Sequence, residues 1–501
     1  MTADLLLAID QGTTSTRSIA FDRSFRVVAT ASRPLRTQHP RPGWVEVDAD
    51  ALLASVVETV AEVLAAVGGA NRIAAAGLAN QGETVVAWDA ETLRPLAPAI
   101  VWQCRRSEPI VDRLRAGGLE RQIRELTGLP LDPYFSAGKM TWLVESDEAV
   151  QDAEKRRTLR FGTVDAWLTA SLGLAAPGGL TDPSTASRTQ LLSLQDGTWD
   201  PRLLEWWGVD AAVLPTIRGT AGVAGVLSHR SWDGPLTLTA LACDQQAALA
   251  GHGAFSLGSI KATYGTGVFV LTNAGQRRTP ADGLETSLAW SLPDGRVDAV
   301  LQGGVFTAGA MIDWVRDDLG IVGDVDGTSA LASSVPDSAG VTVVPALAGL
   351  GAPWYRPGAR AAILGLTAAA DRAHVVRATL DGIAHRVADI VETMEGSLGT
   401  KPDLIRVDGG LTRNAYLMQR QADLLGRSVG IAALHETTAL GMAMLASIGA
   451  GLSRVDDVEG VNPVASVVRP RLAEASRIGE RRDWRTVLSE HYGIAEDHAD
   501  S

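Results

Sequence analysis

The sequence predicts an α/β protein made of two related halves. Three glycine-rich turns support this prediction, and each follows a strand-like run. Two of the turns join two such runs and therefore predict β-hairpins, at residues 5–22 and 261–272. The third turn lies between a strand-like run at 404–408 and a helical pattern over 416–425. Alternating strand-like and helix-like stretches elsewhere are typical of α/β folds.

The first hairpin carries a carboxylate, a glycine, several hydroxyls and an arginine at its tip. Asp10 follows five apolar residues, and Gly12 lets backbone N–H groups approach a ligand closely. Successive N–H groups at such a turn form a concavity that binds anions. An acid beside a phosphate site is suited to hold Mg²⁺ through its oxygens. The alternative is a surface turn that is simply rich in Thr and Asp.

Two such hairpins followed by a strand–Gly-Gly–helix turn resemble the superfamily of actin, hexokinase and the heat-shock chaperone ATPases. This resemblance implies two actin-like (ribonuclease H-like) domains with an ATP and substrate cleft between them. Shorter motifs make the resemblance more specific and indicate the FGGY carbohydrate kinases, within them the glycerol kinases. These motifs span about residues 5 to 446 and include Asp10-Gln-Gly-Thr-Thr-Ser, Gly43-Trp-Val-Glu-Val-Asp, Asn80-Gln-Gly-Glu-Thr, Trp102-Gln-Cys-Arg-Arg, Phe161-Gly-Thr-Val-Asp, Asp244-Gln-Gln-Ala-Ala-Leu and Tyr264-Gly-Thr-Gly.

Bulk composition excludes several other classes of protein. The 501 residues carry a net charge of −13, which argues against a nucleic-acid partner. Lysine occurs only at positions 139, 155, 261 and 401, and none follows a glycine and precedes Ser or Thr. The chain is therefore not a P-loop ATPase. An ATP site must instead use backbone amides, hydroxyls, arginine and a metal ion.

The remaining bulk properties concern compartment and assembly. Two cysteines are too few for a disulfide framework and fit a reducing compartment. The first strand begins within a few residues of Met1, which leaves no room for a signal peptide. No apolar run approaches the roughly 20 residues of a membrane span. We expect a cytoplasmic protein with no membrane span, assembled as a homodimer or a higher homo-oligomer.

The pattern along the chain predicts three regions. We expect an N-terminal domain at 1–247 that binds the sugar or polyol, a nucleotide-binding domain at 248–450, and a C-terminal helical extension at 451–501. A helix is predicted over 49–67, with Asp48 as its N-cap. Later helices are predicted at 306–318, 374–398, 416–425 and 438–448, and the segment 151–193 is predicted to be rich in loops.

Asp244 ends an alternating strand, residues 236–242, and precedes a helix predicted over 245–252. An aspartate in that position is by itself best explained as an N-cap. The family resemblance changes this interpretation, because the matching aspartate is the catalytic base of the family. Phosphoryl transfer needs a group that accepts the proton of the attacking hydroxyl. By resemblance, Asp244 has that role and Gln245 holds a neighbouring hydroxyl of the acceptor.

The resemblance also implies a metal site and a nucleotide site. Asp10 is expected to bind Mg²⁺, and ATP is expected as the phosphoryl donor. Gly309 and Gly410 could instead be explained by helix packing or turn geometry, and Asp313 stands where glycerol kinases often carry Gln. The expected ATP-binding residues are Thr13, Thr14, Ser15 and Arg17 at the γ-phosphoryl group, Gly265 and Thr266 at the β/γ side, Gly309 and Asp313 beside the nucleotide, and Gly410 and Asn414 around adenosine.

The acceptor pocket is where the chain departs from its family. Glycerol kinases typically read Asn-Gln-Arg-Glu-Thr, whereas this chain has Gly82 in place of the arginine. Losing that arginine removes hydrogen-bond donors and opens space, which favours a longer polyol or sugar. Alternatively, water or another arginine replaces it and glycerol remains the substrate. The expected acceptor-binding residues are Gly82, Glu83, Trp102, Tyr134, Asp244, Gln245 and Phe269.

The sequence therefore predicts an ATP- and Mg²⁺-dependent kinase acting on a terminal hydroxyl of a small polyol. The acceptor is glycerol or, preferably, a four- or five-carbon alditol such as erythritol, threitol or xylitol. A ketose kinase of the xylulokinase or ribulokinase type is the first alternative. A non-catalytic, actin-like nucleotide-binding protein is a more distant one.

Overall fold

The computed structural model describes residues 3–173, 176, 178–324 and 327–494. Within these ranges the strands are β1 (Leu5–Gln11), β2 (Ser15–Phe21), β3 (Val27–Pro34), β4 (Glu46–Val47), β5 (Ile73–Asn80), β6 (Val85–Asp89), β7 (Ala99–Ile100), β8 (Leu159–Thr163), β9 (Leu180–Thr181), β10 (Thr216–Ile217), β11 (Ala221–Leu227), β12 (Leu236–Cys243), β13 (Ile260–Tyr264), β14 (Val268–Asn273), β15 (Glu285–Ser291), β16 (Val297–Val305), β17 (Thr342–Val344), β18 (Ala362–Leu364), β19 (Leu404–Asp408), β20 (Ser428–Ala432) and β21 (Val464–Val468).

The α-helices in the same ranges are α1 (Ala49–Val67), α2 (Glu108–Ala116), α3 (Glu120–Thr127), α4 (Ser136–Ser146), α5 (Glu148–Arg156), α6 (Val164–Ser171), α7 (Pro183–Ala186), α8 (Pro201–Trp207), α9 (Asp244–Gly251), α10 (Gly309–Asp317), α11 (Gly327–Ser333), α12 (Arg372–Leu398), α13 (Ala415–Leu425), α14 (Thr437–Gly449), α15 (Val455–Val458) and α16 (Glu474–Tyr492). Short 3-10 helices lie at Ala70–Arg72, Ser187–Thr189, Ala211–Val213 and Gly410–Arg413. None of the helices in the described part of the chain is long and apolar enough to cross a membrane.

The first large sheet has the strand order β11-β12-β5-β1-β2-β3. The predicted hairpin is confirmed, because β1 and β2 pair in antiparallel fashion. Strands β1, β5 and β12 are parallel to one another. Their carboxyl ends therefore meet at one edge of the sheet, where ligands of open α/β sheets usually bind.

The second large sheet repeats this layout with the order β15-β16-β14-β13-β19-β20-β21. Its hairpin is β13–β14, and β13, β19 and β20 run parallel. The third glycine-rich turn follows β19, and a 3-10 turn at Gly410–Arg413 precedes α13. The architecture is thus α/β with two actin-like domains, as the sequence predicts. A smaller sheet, β4-β7-β6-β8, adjoins the first domain.

Helix α1 begins and ends at the capping residues that the sequence predicts. The Asp48 side chain accepts a hydrogen bond from the Asp50 backbone N–H, which makes it the predicted N-cap. Gly68 ends the helix in the left-handed conformation, with a φ of 89°. The apolar face of α1, including Leu52, Val56 and Val60, packs against β1, β2 and β3.

Helix α14 comes from the second half of the chain but packs on the first sheet. It contacts β1, β5 and β12, and most extensively α9. Two glycines allow this close approach: a Cβ at Gly251 would overlap the backbone carbonyl of Thr437, and a Cβ at Gly441 would overlap that of Ala247. The two backbones therefore touch directly. Because α9 begins at Asp244, this contact also helps to place that carboxylate.

Two predictions about secondary structure need correction. The helix predicted from Phe306 starts only at Gly309, because β16 extends to Val305. Gly303 and Gly304 in that strand are weak helix formers, and a Cβ at Gly303 would lie 2.7 Å from Ile390 Cγ2. The segment 151–193 contains β8, α6, β9 and α7 rather than mainly loops, because β8 pairs with β6.

The predicted C-terminal helical extension contains a strand as well as helices. Strand β21 pairs with β20 in the second sheet, and α16 covers Glu474–Tyr492. Trp484 and Leu488 of α16 are buried against Val344 and neighbouring apolar residues. Residues 495–501, which the predicted tail includes, lie outside the described residues.

We expect Gly441→Ala to lower the free energy of unfolding by about 1–3 kcal/mol, the usual effect of overpacking a tight contact. The matched control is Gly396→Ala, since a Cβ at Gly396 in α12 meets no atom within 4 Å. That control should leave stability unchanged or raise it by about 0.5–1 kcal/mol. Urea unfolding of both variants measures the difference. Equal stability of the two variants would contradict the close packing of α9 and α14.

Candidate active site

The carboxyl edge of the first sheet brings together residues from three separate segments. Asp10 lies near the end of β1, Asn80 ends β5, and Cys243 ends β12 immediately before Asp244. In the sheet register Asp10 is opposite Ala79, and Cys243 is opposite Asn80. Two predicted functional carboxylates, separated by more than 200 positions in sequence, therefore lie at the same edge.

Asp10 stands in an acidic environment. The pKa of its carboxyl is raised to about 7, mainly by burial and also by the charges of Asp244 and Glu436, while the charge of Arg17 opposes the rise. Arg17 is directly opposite Asp10 in the β1–β2 register, and its Nη1 donates to Glu436 Oε2 at 2.5 Å. The guanidinium predicted to contact phosphate thus pairs here with a carboxylate at the start of α14.

The turn between β1 and β2 carries the other predicted phosphate ligands. The Gly12 N–H donates to the Ser15 carbonyl at 3.0 Å, which closes the turn. Thr14 is exposed and Ser15 is partly exposed. Thr13 is tied to two neighbours: its hydroxyl donates to Gln81 Oε1 at 3.2 Å and accepts from Trp102 Nε1 at 2.9 Å. The phosphate hairpin is therefore connected to a predicted wall of the acceptor pocket.

Asp244 is the first residue of α9, and the N-cap is Cys243. The N-cap interpretation of Asp244 is therefore wrong for this fold. Its Oδ1 accepts from the Gln245 backbone N–H at 2.7 Å and faces the Cys243 thiol at 3.5 Å. Burial raises the pKa of Asp244, while these two hydrogen bonds and the Lys261 and Arg188 charges oppose the rise.

Among the predicted acceptor residues, Gln245 follows Asp244 directly, and the Asp244 charge acts on Glu83 and Tyr134. The Trp102 and Tyr134 rings pack with centroids 5.4 Å apart. Burial raises the pKa of Tyr134 well above its usual range, so its hydroxyl stays protonated. Gln245 Oε1 accepts from Lys261 Nζ at 3.0 Å, which leaves the amide NH₂ of Gln245 to face other groups. Phe269 lies on β14, opposite Thr263, which also bonds Lys261.

Glu83 is paired with Arg188, a residue that the sequence analysis did not predict to be part of the site. Its Oε1 accepts from Arg188 Nε at 2.7 Å, and Arg188 Nη2 donates to Glu285 Oε2 at 2.9 Å. Arg188 is about 2 % exposed and belongs to the 3-10 helix Ser187–Thr189. This arginine lies in the run Thr185-Ala-Ser-Arg-Thr, and no spacing rule connects that run to Glu83.

The space at Gly82 is already partly filled. A Cβ at this position would lie 2.7 Å from Cys243 Sγ and 3.5 Å from Arg188 Cγ. Gly82 therefore leaves less new volume than the loss of an arginine suggests. A buried arginine does stand beside the position, as the alternative interpretation of the motif required.

The predicted nucleotide residues of the second half line one cavity of about 480 Å³. Its lining includes the predicted residues Gly265, Thr266, Gly309, Asp313, Gly410 and Asn414, together with Tyr264, Leu411 and Arg413, which were not predicted. Residues of the first hairpin are not part of this lining. Leu411 and Arg413 belong to the 3-10 turn that follows the third glycine-rich motif.

Three residues that line this cavity also make packing, helix-capping or ion-pair contacts within the protein. A Cβ at Gly309 would lie 2.6 Å from the Gly265 carbonyl, so α10 packs closely against the second hairpin. Asn414 Oδ1 accepts from the Leu417 N–H at 2.9 Å and thereby caps α13. Its Nδ2 donates to Thr328 Oγ1 at 2.9 Å. Asp313 is exposed and pairs with Arg316 at 3.0 Å.

Comparison with known proteins agrees with this geometry. The model of the FGGY family of carbohydrate kinases, N-terminal domain, matches residues 5–251, and the C-terminal domain model matches residues 260–450. Glycerol kinase of Citrifermentans bemidjiense is 41% identical over 486 residues, which cover 97% of this chain and 98% of that protein. Glycerol kinase of Symbiobacterium thermophilum is 43% identical over 459 residues, or 91% of each chain.

Solved structures show the same architecture. Plasmodium falciparum glycerol kinase, determined with ADP, superposes with a TM-score of 0.92 at 28% identity and 99% coverage of both chains. Xylulose kinase from Lactobacillus acidophilus has a TM-score of 0.87 at 21% identity, covering 98% of this chain and 99% of that one, which shows the shared fold. The chain belongs to the FGGY family of carbohydrate kinases and is a phosphotransferase that uses ATP and acts on an alcohol group.

Proposed function

We propose that this kinase transfers the γ-phosphoryl group of Mg-ATP to a terminal hydroxyl of a small polyol. The observation that supports this most directly is the convergence of Asp10 and Asp244 at the carboxyl edge of the first sheet. Around Asp244 lie groups suited to hold hydroxyls, including the Tyr134 phenol, the Gln245 amide and the Glu83 carboxylate. We also propose that residues 1–247 bind the polyol and 248–450 the nucleotide, with helix α9 spanning the boundary.

In this proposal Asp244 accepts the proton of the attacking hydroxyl. Phosphoryl transfer depends mainly on positioning and charge stabilisation, and a carboxylate within reach of the hydroxyl completes the site. The raised pKa makes Asp244 a stronger base than an exposed aspartate. Gln245 is held by Lys261, so its NH₂ group is free to donate to a hydroxyl next to the reacting one.

Asp10 fits a magnesium ion bound through one carboxylate, with water and phosphate oxygens as the other ligands. Among the described residues, no group of three His, Cys, Asp or Glu side chains could hold a metal ion. The crowding of Asp10 by Asp244 and Glu436 is consistent with a cation at this place, because a cation relieves the repulsion among them. When bound, Mg²⁺ would neutralise charge on the transferred phosphoryl group.

A four- or five-carbon alditol is the proposed acceptor, and glycerol is the alternative. Gly82 removes the family arginine from the acceptor pocket, which weakens recognition of a three-carbon substrate. Glycerol is supported by Arg188, which stands beside Gly82, and by the glycerol kinases that are about 40% identical to this chain over nearly its full length. ADP release with glycerol, erythritol, threitol, xylitol and a ketose tests the proposal. Stimulation by none of these acceptors would overturn it.

We expect Asp244→Asn to fold and bind nucleotide but to lose turnover by about 10²–10⁴-fold, the usual contribution of a general base. The matched control is Asp318→Asn, which changes an exposed aspartate just after α10. Steady-state kinetics and nucleotide binding by calorimetry measure both properties. A fall in kcat of less than about tenfold would remove Asp244 from the role of base.

Gly309→Ala should raise KM for ATP by about tenfold or more, with a smaller effect on KM for the polyol. The added methyl group would lie 2.6 Å from the Gly265 carbonyl, and neither backbone segment can move without changing the nucleotide cavity. Gly323→Ala is the control, because its Cβ meets no atom within 4 Å. An unchanged KM for ATP in both variants would contradict the proposed nucleotide site.

Restoring the arginine at position 82 needs a second change, because Cys243 Sγ would obstruct it at 2.7 Å. We expect Gly82→Arg combined with Cys243→Ala to raise the glycerol-to-alditol ratio of kcat/KM by about ten- to a hundredfold, or ~1–3 kcal/mol. Cys243→Ala alone serves as the control and should leave the ratio nearly unchanged. A wild-type enzyme that already prefers glycerol would contradict the proposed acceptor.

A further inference from the structure

One nitrogen of the Arg188 guanidinium, Nη1, makes no hydrogen bond to the described part of the chain. The guanidinium is buried, and Nε and Nη2 donate to Glu83 and Glu285 at 2.7 and 2.9 Å. Nη1 is also buried, but it has no hydrogen-bond partner among the described residues. A buried N–H without a partner costs free energy comparable to a lost hydrogen bond, so such groups in native proteins usually have a partner in water or a ligand.

The immediate surroundings of Arg188 are suited to a bound polyol. The guanidinium carbon lies 5.1 Å from the Phe135 ring centroid and 5.9 Å from that of Tyr134. The ring faces stabilise the positive charge, and neither side chain makes a hydrogen bond to Nη1. Tyr134 and Glu83 both belong to the proposed acceptor pocket. Nη1 is therefore an unused donor next to the place where the polyol is proposed to bind.

Tyr355 places a second polar group in the same region. Its hydroxyl is buried beside the Glu285 carboxylate and has no other hydrogen-bond partner among the residues described. Burial raises the pKa of Tyr355 well above its usual range, and the nearby Glu285 carboxylate raises it further, so the phenol keeps its proton. The backbone of Tyr355 has a φ of 45°, a left-handed conformation that a non-glycine residue adopts only when its surroundings impose it.

We propose that Arg188, Tyr355 and Glu285 form a second hydroxyl-binding subsite, which takes the outer hydroxyl groups of a polyol longer than three carbons. The set offers a charged N–H donor, a phenol that both donates and accepts, and a carboxylate acceptor. These groups complement two neighbouring hydroxyls, each of which donates and accepts one hydrogen bond. Glycerol, once bound at Glu83 and Asp244, has no further carbon to place there.

The subsite rests on the proposed function, since it extends the acceptor pocket. It also explains how the chain recognises a substrate without the family arginine at position 82. Two of the three atoms nearest to a Cβ at Gly82 belong to the Arg188 side chain. The guanidinium that contacts the substrate would thus come from the 3-10 helix Ser187–Thr189 instead of from the turn after β5.

Tyr355→Phe tests the subsite because it removes only the phenol hydroxyl. If that hydroxyl serves only Glu285 and not the substrate, its removal should change kcat/KM for all acceptors alike. We expect instead that kcat/KM for erythritol and xylitol falls about tenfold or more, while kcat/KM for glycerol stays within about twofold. Tyr492→Phe is the matched control, since its hydroxyl donates to the Arg360 carbonyl at 2.7 Å and lines no part of this region.

Arg188→Lys provides a second variant that retains the positive charge but not Nη1. Because a lysine also loses the two bonds that hold Glu83 and Glu285, kcat/KM should fall for glycerol as well, but about tenfold more for the longer polyols. A circular-dichroism melt confirms that the variant folds. Equal losses for all acceptors, or none in Tyr355→Phe, would overturn the subsite and leave the kinase function in place. Activity of the wild type on glycerol alone would also overturn the subsite and leave the kinase function in place. Activity on no polyol would overturn the proposed function itself.

Discussion

The direct backbone contact between α9 and α14 is the constraint on which the arrangement of the active site depends. Gly251 and Gly441 make it possible, because any larger residue would separate the two helices. Helix α14 belongs to the second half of the chain, yet it completes the core of the first sheet. The proposed base at the start of α9 is therefore held by residues from both halves.

A buried carboxylate connects this contact to the nucleotide side. Asp408 ends β19, and its Oδ2 accepts from Thr437 Oγ1 at 2.6 Å and lies 3.1 Å from His252 Nε2. Thr437 begins α14, and His252 follows α9. Asp408 also precedes Gly409 and Gly410, and Gly410 lines the nucleotide cavity. Asp408 therefore joins the turn at Gly409 and Gly410 to both helices, one of which begins with Asp244.

The site contains an acidic group of side chains at the first hairpin and a group of buried cations beside the acceptor residues. Asp10, Asp244 and Glu436 form an acidic region at the first hairpin, where mutual repulsion favours the binding of a cation. Lys261 and Arg188 are buried beside the acceptor residues, and each is paired with oxygen atoms. Burying a charge is costly unless it is paired. These two cations therefore fix the side chains of Gln245 and Glu83 in defined positions.

The sequence by itself determined the local elements and the residues next to glycine-rich turns. Hairpins β1–β2 and β13–β14, the capped helix α1 and the strand ending at Asp244 follow from apolar periodicity and turn residues, which are local properties. Only the tertiary structure decided that Arg188 and Glu285 meet Glu83, that Cys243 fills the space beside Gly82, and that β16 ends before α10. These contacts join distant segments, and their geometry depends on sheet register and helix packing, which no local pattern encodes.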